Sequence, residues 1–338
     1  MRVAAFTLAA AVLAMPARTA HAQIAGPAPG QVQQTAQQAQ APTFRSGAAL
    51  VALNVTVQDT SSRYVTGLQR ADFAVYEDGV RQDVRFFEAT AVPVDLIVLV
   101  DTSSSMSDKM DVVHEAASGF LKTLREGDRG AVVSFADSVS ILQPMTSDAD
   151  ALDKAVRSTA AHGATALNNA IYIALKQFGH SARQDSAVRR QAIVVLTDGE
   201  DTCSLVSFDD VLSLSRRMGV NIYTVLLQAR SAAPRADSYG HRYFSEADYS
   251  MKTLARETGA QAFFPAPGEL KTVYTAIAAE LASQYSIGYV PANARPDGRF
   301  RRVIVQILTR PELRPRTRPG YTADGAVSAS AHPIDLRH

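Results

Sequence analysis

The run Val94–Ser105, VDLIVLVDTSSS, joins two unlike kinds of chain. From Val94 to Val100 every residue except Asp95 is Val, Leu or Ile, with no polar alternation, which suits a strand covered on both faces by helices. At Asp101 the character switches to a carboxylate followed by the hydroxyls of Thr102, Ser103, Ser104 and Ser105. In open parallel sheets, ligands bind beyond the carboxyl ends of strands, near the point where strand order reverses. Asp101 therefore stands where such a fold places a site.

Working outward, strand-like and helix-like segments alternate. GAVVSF (Gly130–Phe135), QAIVVLTD (Gln191–Asp198) and NIYTVLL (Asn221–Leu227) are core-strand candidates, with AQAFFP (Ala260–Pro265) a weaker one. Amphipathic patterns predict helices near Lys109–Arg125, Asp148–Thr159, Ala166–Phe178, Ser207–Met218, Ala247–Thr258 and Pro267–Ser283. This alternation predicts an α/β domain over residues 92–283, a doubly wound, mostly parallel sheet with right-handed crossovers.

The flanks are of β character. LVALNVTVQD (Leu50–Asp59) alternates apolar and polar residues, and DFAVYEDGVRQDVRFFEA (Asp72–Ala89) gives two strand-like runs around Asp78-Gly79, a good hairpin signal. Residues 44–91 thus read as a small antiparallel β module. YSIGYV (Tyr285–Val290) and FRRVIVQIL (Phe300–Leu308) return to alternation within residues 284–322, and residues 323–338 form a tail. Because the ends of a compact domain often lie close together, the two β segments are expected to pack into one split β domain with the α/β domain inserted.

The first 22 residues combine Arg2, an apolar run from Val3 to Met15 and Ala20-His21-Ala22, the pattern of a secretory signal removed on export. Residues 23–43, almost all Gln, Ala, Pro and Gly, read as a flexible linker. A secreted or periplasmic location is expected, with no integral span after signal cleavage. The chain has 338 residues, 46% hydrophobic and 20% charged, with a formal net charge of +1. That composition supports a sizeable core and points away from nucleic acid as a partner. Cys203 is the sole cysteine, so no intrachain disulfide forms.

Three separated loops carry oxygen donors: Asp101, Ser103 and Ser105 after the first core strand, Thr165 in HGATAL before a helix, and Asp198 at the end of a second core strand. Two carboxylates and three hydroxyls, with no His or Cys, select a hard cation: Mg2+, with Mn2+ and Ca2+ suiting the same donors. Two carboxylates balance the charge but supply few of the coordination positions, which leaves one open to a partner's acidic side chain.

These residues resemble the metal ion-dependent adhesion site of the von Willebrand factor A family, with all five family positions filled by the expected types. The resemblance covers roughly Val94 to Ser283 and implies a Rossmann-like fold and metal contacts, direct or through water, from Ser103, Ser105, Thr165, Asp101 and Asp198. GLQRADFAVYEDGVRQDVRFFE, QYSIGYVP and RPGYT resemble a bacterial secreted subfamily in which β segments flank the A domain. The expected function is non-enzymatic: metal-dependent, adhesion-type binding of a protein ligand that supplies an acidic side chain. The alternatives are a structural or assembly component of the cell envelope with a vestigial metal site, and a metal-assisted hydrolase using His162. The usual enzyme signatures (G-x-G-x-x-G after the first strand, Walker A, G-x-S-x-G, H-E-x-x-H) are absent from the sequence.

Overall fold

The structure, a computed structural model, describes residues 50–89, 92–181, 189–227 and 245–323. The expected signal, the linker and residues 324–338 lie outside the described residues. The chain opens with strands β1 (Val51–Gln58), β2 (Phe73–Glu77), β3 (Val80–Gln82) and β4 (Val84–Ala89). The sequence pattern predicts two strand-like runs over Asp72–Ala89, and the chain makes three. Asp78 and Gly79 both take positive φ, 48° and 84°, as a two-residue hairpin turn between β2 and β3 requires. Gln82 and Val84, on either side of Asp83, are both buried. The chain crosses there from one sheet to another, so β3 and β4 never pair.

The α/β region follows as β5 (Val94–Asp101), α1 (Met110–Leu121), β6 (Arg129–Phe135), β7 (Val139–Thr146), α2 (Ala149–Arg157), α3 (Leu167–Ser181), β8 (Arg190–Thr197), α4 (Phe208–Met218), β9 (Asn221–Leu226), α5 (Glu246–Glu257), β10 (Ala262–Phe263) and α6 (Leu270–Ser283). Its sheet has the order β10-β9-β8-β5-β6-β7, parallel throughout except for β7. This is the doubly wound, mostly parallel architecture that the sequence predicts. All eight residues of β5 are buried. Leu96, Val98 and Val100 share a core with side chains of α1, α2 and α6, while Ile97 and Leu99 share one with α3, α4 and α5. Each such aliphatic side chain contributes about 1.5–3 kcal/mol by leaving water, so β5 is fixed from both faces.

The antiparallel edge strand β7 is not predicted by the sequence pattern. It contains Pro144, and its pairing with β6 shifts register between Gly130 and Val133. Proline is tolerated on a sheet edge, where its missing N–H breaks no ladder.

The chain closes with β11 (Tyr285–Tyr289), β12 (Phe300–Ile307), β13 (Arg314–Arg316) and β14 (Gly320–Thr322). These late strands interleave with the early ones in two further sheets, β13-β1-β11-β4 and β14-β12-β2-β3. Leu53 lies opposite Ile287, and Val75 opposite Val305. The two sheets share one core that includes Val55, Phe73, Tyr285 and Ile307.

The α/β region is tied to this β pair through Glu280 of α6, which is fully buried. Its carboxylate accepts hydrogen bonds from Tyr223 Oη at 2.8 Å, Thr56 Oγ1 and Tyr64 Oη at 3.3 Å each, and Arg316 Nη2 at 2.6 Å. Truncation before Phe300 would remove β12, which pairs with β2, and β13, which pairs with β1, so limited proteolysis of that variant is expected to cut within residues 50–89 faster than in the full chain. Glu280→Ala strands Arg316 without its counter-ion and is expected to cost about 3–5 kcal/mol in urea unfolding.

Candidate metal centre

The strand order reverses beside β5. The chain runs from β5 to β6 and β7 on one side, then crosses back through α3 to place β8 on the other. The carboxyl ends of β5 and β8 therefore flank the switch point. Asp101 is the last residue of β5, and Asp198 follows β8 directly.

Asp101 is fully buried, and both of its carboxylate oxygens are engaged. Oδ1 accepts from the Ser103 backbone N–H at 2.7 Å, which turns the chain sharply after β5. Oδ2 accepts from Thr197 Oγ1 at 2.5 Å. Burial raises the Asp101 pKa, with the nearby Asp198 charge adding to it, and the hydrogen bonds from Thr197 and Ser103 oppose the rise. Ser103 Oγ lies 3.1 Å from Ser105 Oγ, which in turn donates to Asp198 Oδ1 at 2.7 Å. Four of the five expected ligands thus form one hydrogen-bonded chain.

Thr165 reaches this group through its loop. Gly163 accepts from the backbone N–H and hydroxyl of Ser104 at 3.1 and 3.0 Å, and the His162 N–H donates to the Thr102 carbonyl at 2.6 Å. Gly163 has a φ of 72°, and a Cβ there would sit 3.0 Å from Asp137 Cγ, so this approach requires glycine. The buried Thr165 receives Thr202 Oγ1 on its carbonyl and gives its N–H to the same hydroxyl at 3.0 Å. Its own hydroxyl lies 4.0 Å from the position a Cβ on Gly199 would take.

The acidic loop after Asp198 is tied down from α3. Asp201 accepts from Asn168 Nδ2 at 3.1 Å and Ser204 Oγ at 2.6 Å, and Asn169 Oδ1 accepts the N–H groups of Leu205 and Val206, both at 3.1 Å. Asp201 is thus committed to the loop. His162 is exposed, and its Nδ1 is 2.9 Å from the Ala160 carbonyl.

Sequence reasoning passes over Lys109. Its ammonium lies 2.8 Å from Asp198 Oδ2, 2.5 Å from the Ser105 carbonyl and 3.1 Å from Asp108 Oδ1. Burial acts to lower its pKa, but the hydrogen bonds to Asp198 and Asp108 outweigh that, and it stands above the usual lysine value. One signal was available: Lys109 is the N-cap of α1, a position where lysine neither caps the helix nor suits its dipole.

Among the described residues no cluster of three or more His, Cys, Asp or Glu side chains could hold a metal. Any cation at this switch point therefore relies on hydroxyl donors beside the two carboxylates. The donor chemistry fits a hard divalent ion: charge from Asp101 and Asp198, neutral oxygens from Ser103, Ser105 and Thr165. The Lys109 ammonium already sits against Asp198 and pairs its charge.

The fold and this group of donors define a doubly wound α/β domain with an oxygen-lined site at its switch point. Residues 96–200 match the family model described as von Willebrand factor type A domain. An uncharacterised protein of Borreliella burgdorferi is 30% identical over 141 residues, covering 39% of this chain. The match spans only 40% of that relative's length. Similar solved structures include a von Willebrand factor type A protein of Catenulispora acidiphila (17% identity, TM-score 0.46, 71% of this chain and 52% of that one). Another is the conserved hypothetical protein BatB of Bacteroides thetaiotaomicron (20% identity, TM-score 0.44, 56% of this chain and 97% of that one).

Thr197→Val removes a side-chain hydroxyl that donates to the buried Asp101 carboxylate. It is expected to lower stability by about 1–3 kcal/mol in urea unfolding with EDTA present.

Proposed function

We propose that this protein is an adhesion-type binding module that captures a protein partner through a divalent cation held by Asp101, Ser103, Ser105, Thr165 and Asp198. The observation that carries this reading is the hydrogen-bonded group itself. Residues from loops after β5 and β8 meet at one switch point, and the Thr165 loop is stitched to both. A hard divalent ion, Mg2+ first and Mn2+ or Ca2+ by the same donors, would supply an electrophilic position for an acidic side chain of the partner. The chain's own residues do the rest: Thr197 and the Ser103 N–H fix the Asp101 carboxylate, and Asn169 and Asp201 hold the flanking loop in shape. A preorganised loop loses little entropy on binding, which favours affinity.

The same reading makes this an exported protein, secreted or periplasmic. No helix among the described residues is long and apolar enough to cross a membrane, and the leader-like N-terminus supports export. The contact recorded for the exposed His162 ring, Nδ1 at 2.9 Å from the Ala160 carbonyl, lends no support to hydrolysis.

The test is a pull-down from envelope extract using the purified protein as bait. Capture is expected with Mg2+ or Mn2+ present, and it should be lost with EDTA and in Asp101→Ala at unchanged far-UV circular dichroism. Capture that survives both treatments would make the metal site irrelevant and favour a structural or assembly role.

A further inference from the structure

Lys109 sits where a helix gains nothing from a lysine, and its ammonium contacts two of the residues proposed to hold the cation: the carboxylate of Asp198 and the backbone carbonyl of Ser105. Its side chain is 13% exposed and that of Asp198 7%, so this is a largely desolvated pair rather than a surface contact. Asp108, whose side chain is 82% exposed, offers the same ammonium a second carboxylate 3.1 Å away on the solvent side. We propose that Lys109 is a tethered competitor for the cation site: its ammonium holds Asp198 until a divalent ion displaces it toward Asp108. This rests on the metal reading above.

The physical argument is one of charge. Asp198, nearly buried and close to the Asp101 carboxylate, would be costly to leave without a positive neighbour. An ammonium on the same chain supplies that charge at high effective concentration, so a free monovalent ion has little to gain by replacing it. A divalent ion brings twice the charge and can also use the hydroxyl oxygens of Ser103 and Ser105, which are hydrogen-bonded to each other and to Asp198 rather than to the ammonium, and that of Thr165. Lys109 therefore sets a threshold: it discriminates against Na+ and K+ and weakens divalent affinity until the ion is abundant.

The experiment is calorimetric titration of MnCl2 into the full chain after EDTA stripping and dialysis, for the wild type, Lys109→Met and Lys109→Arg. Thermal melts with and without Mn2+ accompany it. Lys109→Met is expected to bind Mn2+ at least tenfold more tightly. Its metal-free melting temperature should fall below that of the wild type, and saturating Mn2+ should close the gap. Lys109→Arg keeps the charge and should stay within about threefold of the wild type. Equal Mn2+ affinity in all three proteins would overturn the competitor role while leaving the metal reading intact. Tighter binding in Lys109→Arg equal to that in Lys109→Met would also overturn it, since positive charge at this position would then not be the barrier. Absence of Mn2+ uptake in all three would remove the metal reading and this inference with it.

Discussion

A single buried carboxylate organises the carboxyl end of the sheet. Asp101 ends the central strand with no exposed surface, in a position that packing alone would assign to an aliphatic residue. Burying a carboxylate is costly unless each oxygen is satisfied, and here the neighbouring loops do that. The Ser103 N–H reaches one oxygen and the Thr197 hydroxyl the other. The first bond bends the chain so that Ser103 and Ser105 come together. The second locks the end of β8 to the end of β5 and so carries Asp198 to within reach of Ser105. Replacing Asp101 by a valine of similar girth would keep the strand and lose the reason for the loops to converge.

The β segments at the two ends serve the same rigid frame from the opposite side. β1 and β2 find their hydrogen-bonding partners in β11 and β12, which come from the far end of the sequence. Glu280, the hub of this junction, belongs to α6 but draws its donors from β9, β1, the segment after β1 and β13. Arg190 adds a second tie, donating from the start of β8 to the carbonyls of Val92 and Leu281. Burial lowers the Arg190 pKa, and its paired carbonyls are the compensation for desolvating the guanidinium. The helix that closes the α/β domain is therefore held by buried charge at its carboxyl-terminal end, and any shift along its axis would have to break that network.

How much of this was legible follows from which forces act locally. β5, β6, β8 and β9 are readable because double-sided burial demands unbroken runs of Val, Ile and Leu, a demand each segment meets by itself. β7 was not, because an edge strand is not required to be apolar on both faces and tolerates Pro144. The break at Asp83 was equally hidden: alternation continues through Gln82 and Val84, and only the separation of two sheets reveals that one run serves both. Within the site, Asp101, Ser103, Ser105, Thr165 and Asp198 were named from donor chemistry and loop position. Thr197, Asn169 and Asp201 were not, since their work is to satisfy partners far away in sequence. Lys109 left a trace, a lysine at a helix start, that composition alone does not weigh.

That trace bears on how the charges at the switch point are balanced. Asp101 is satisfied by hydrogen bonds from neutral donors, whereas Asp198 is held by a full positive charge. The two carboxylates are thus treated differently although both lie at the ends of adjacent strands. Neutral donors leave Asp101 fixed whatever occupies the site, because nothing has to leave for its hydrogen bonds to persist. The ammonium on Asp198 stands at the end of four methylenes and beside an exposed second carboxylate, which is what the proposed exchange requires. The rigid half of the site sets the geometry of the hydroxyls, and the exchangeable half sets the electrostatic cost of admitting another cation. On the proposed exchange, a domain built on this division would alter its ion requirement by changing one side chain at the N-cap of α1 without disturbing the strands that position the rest.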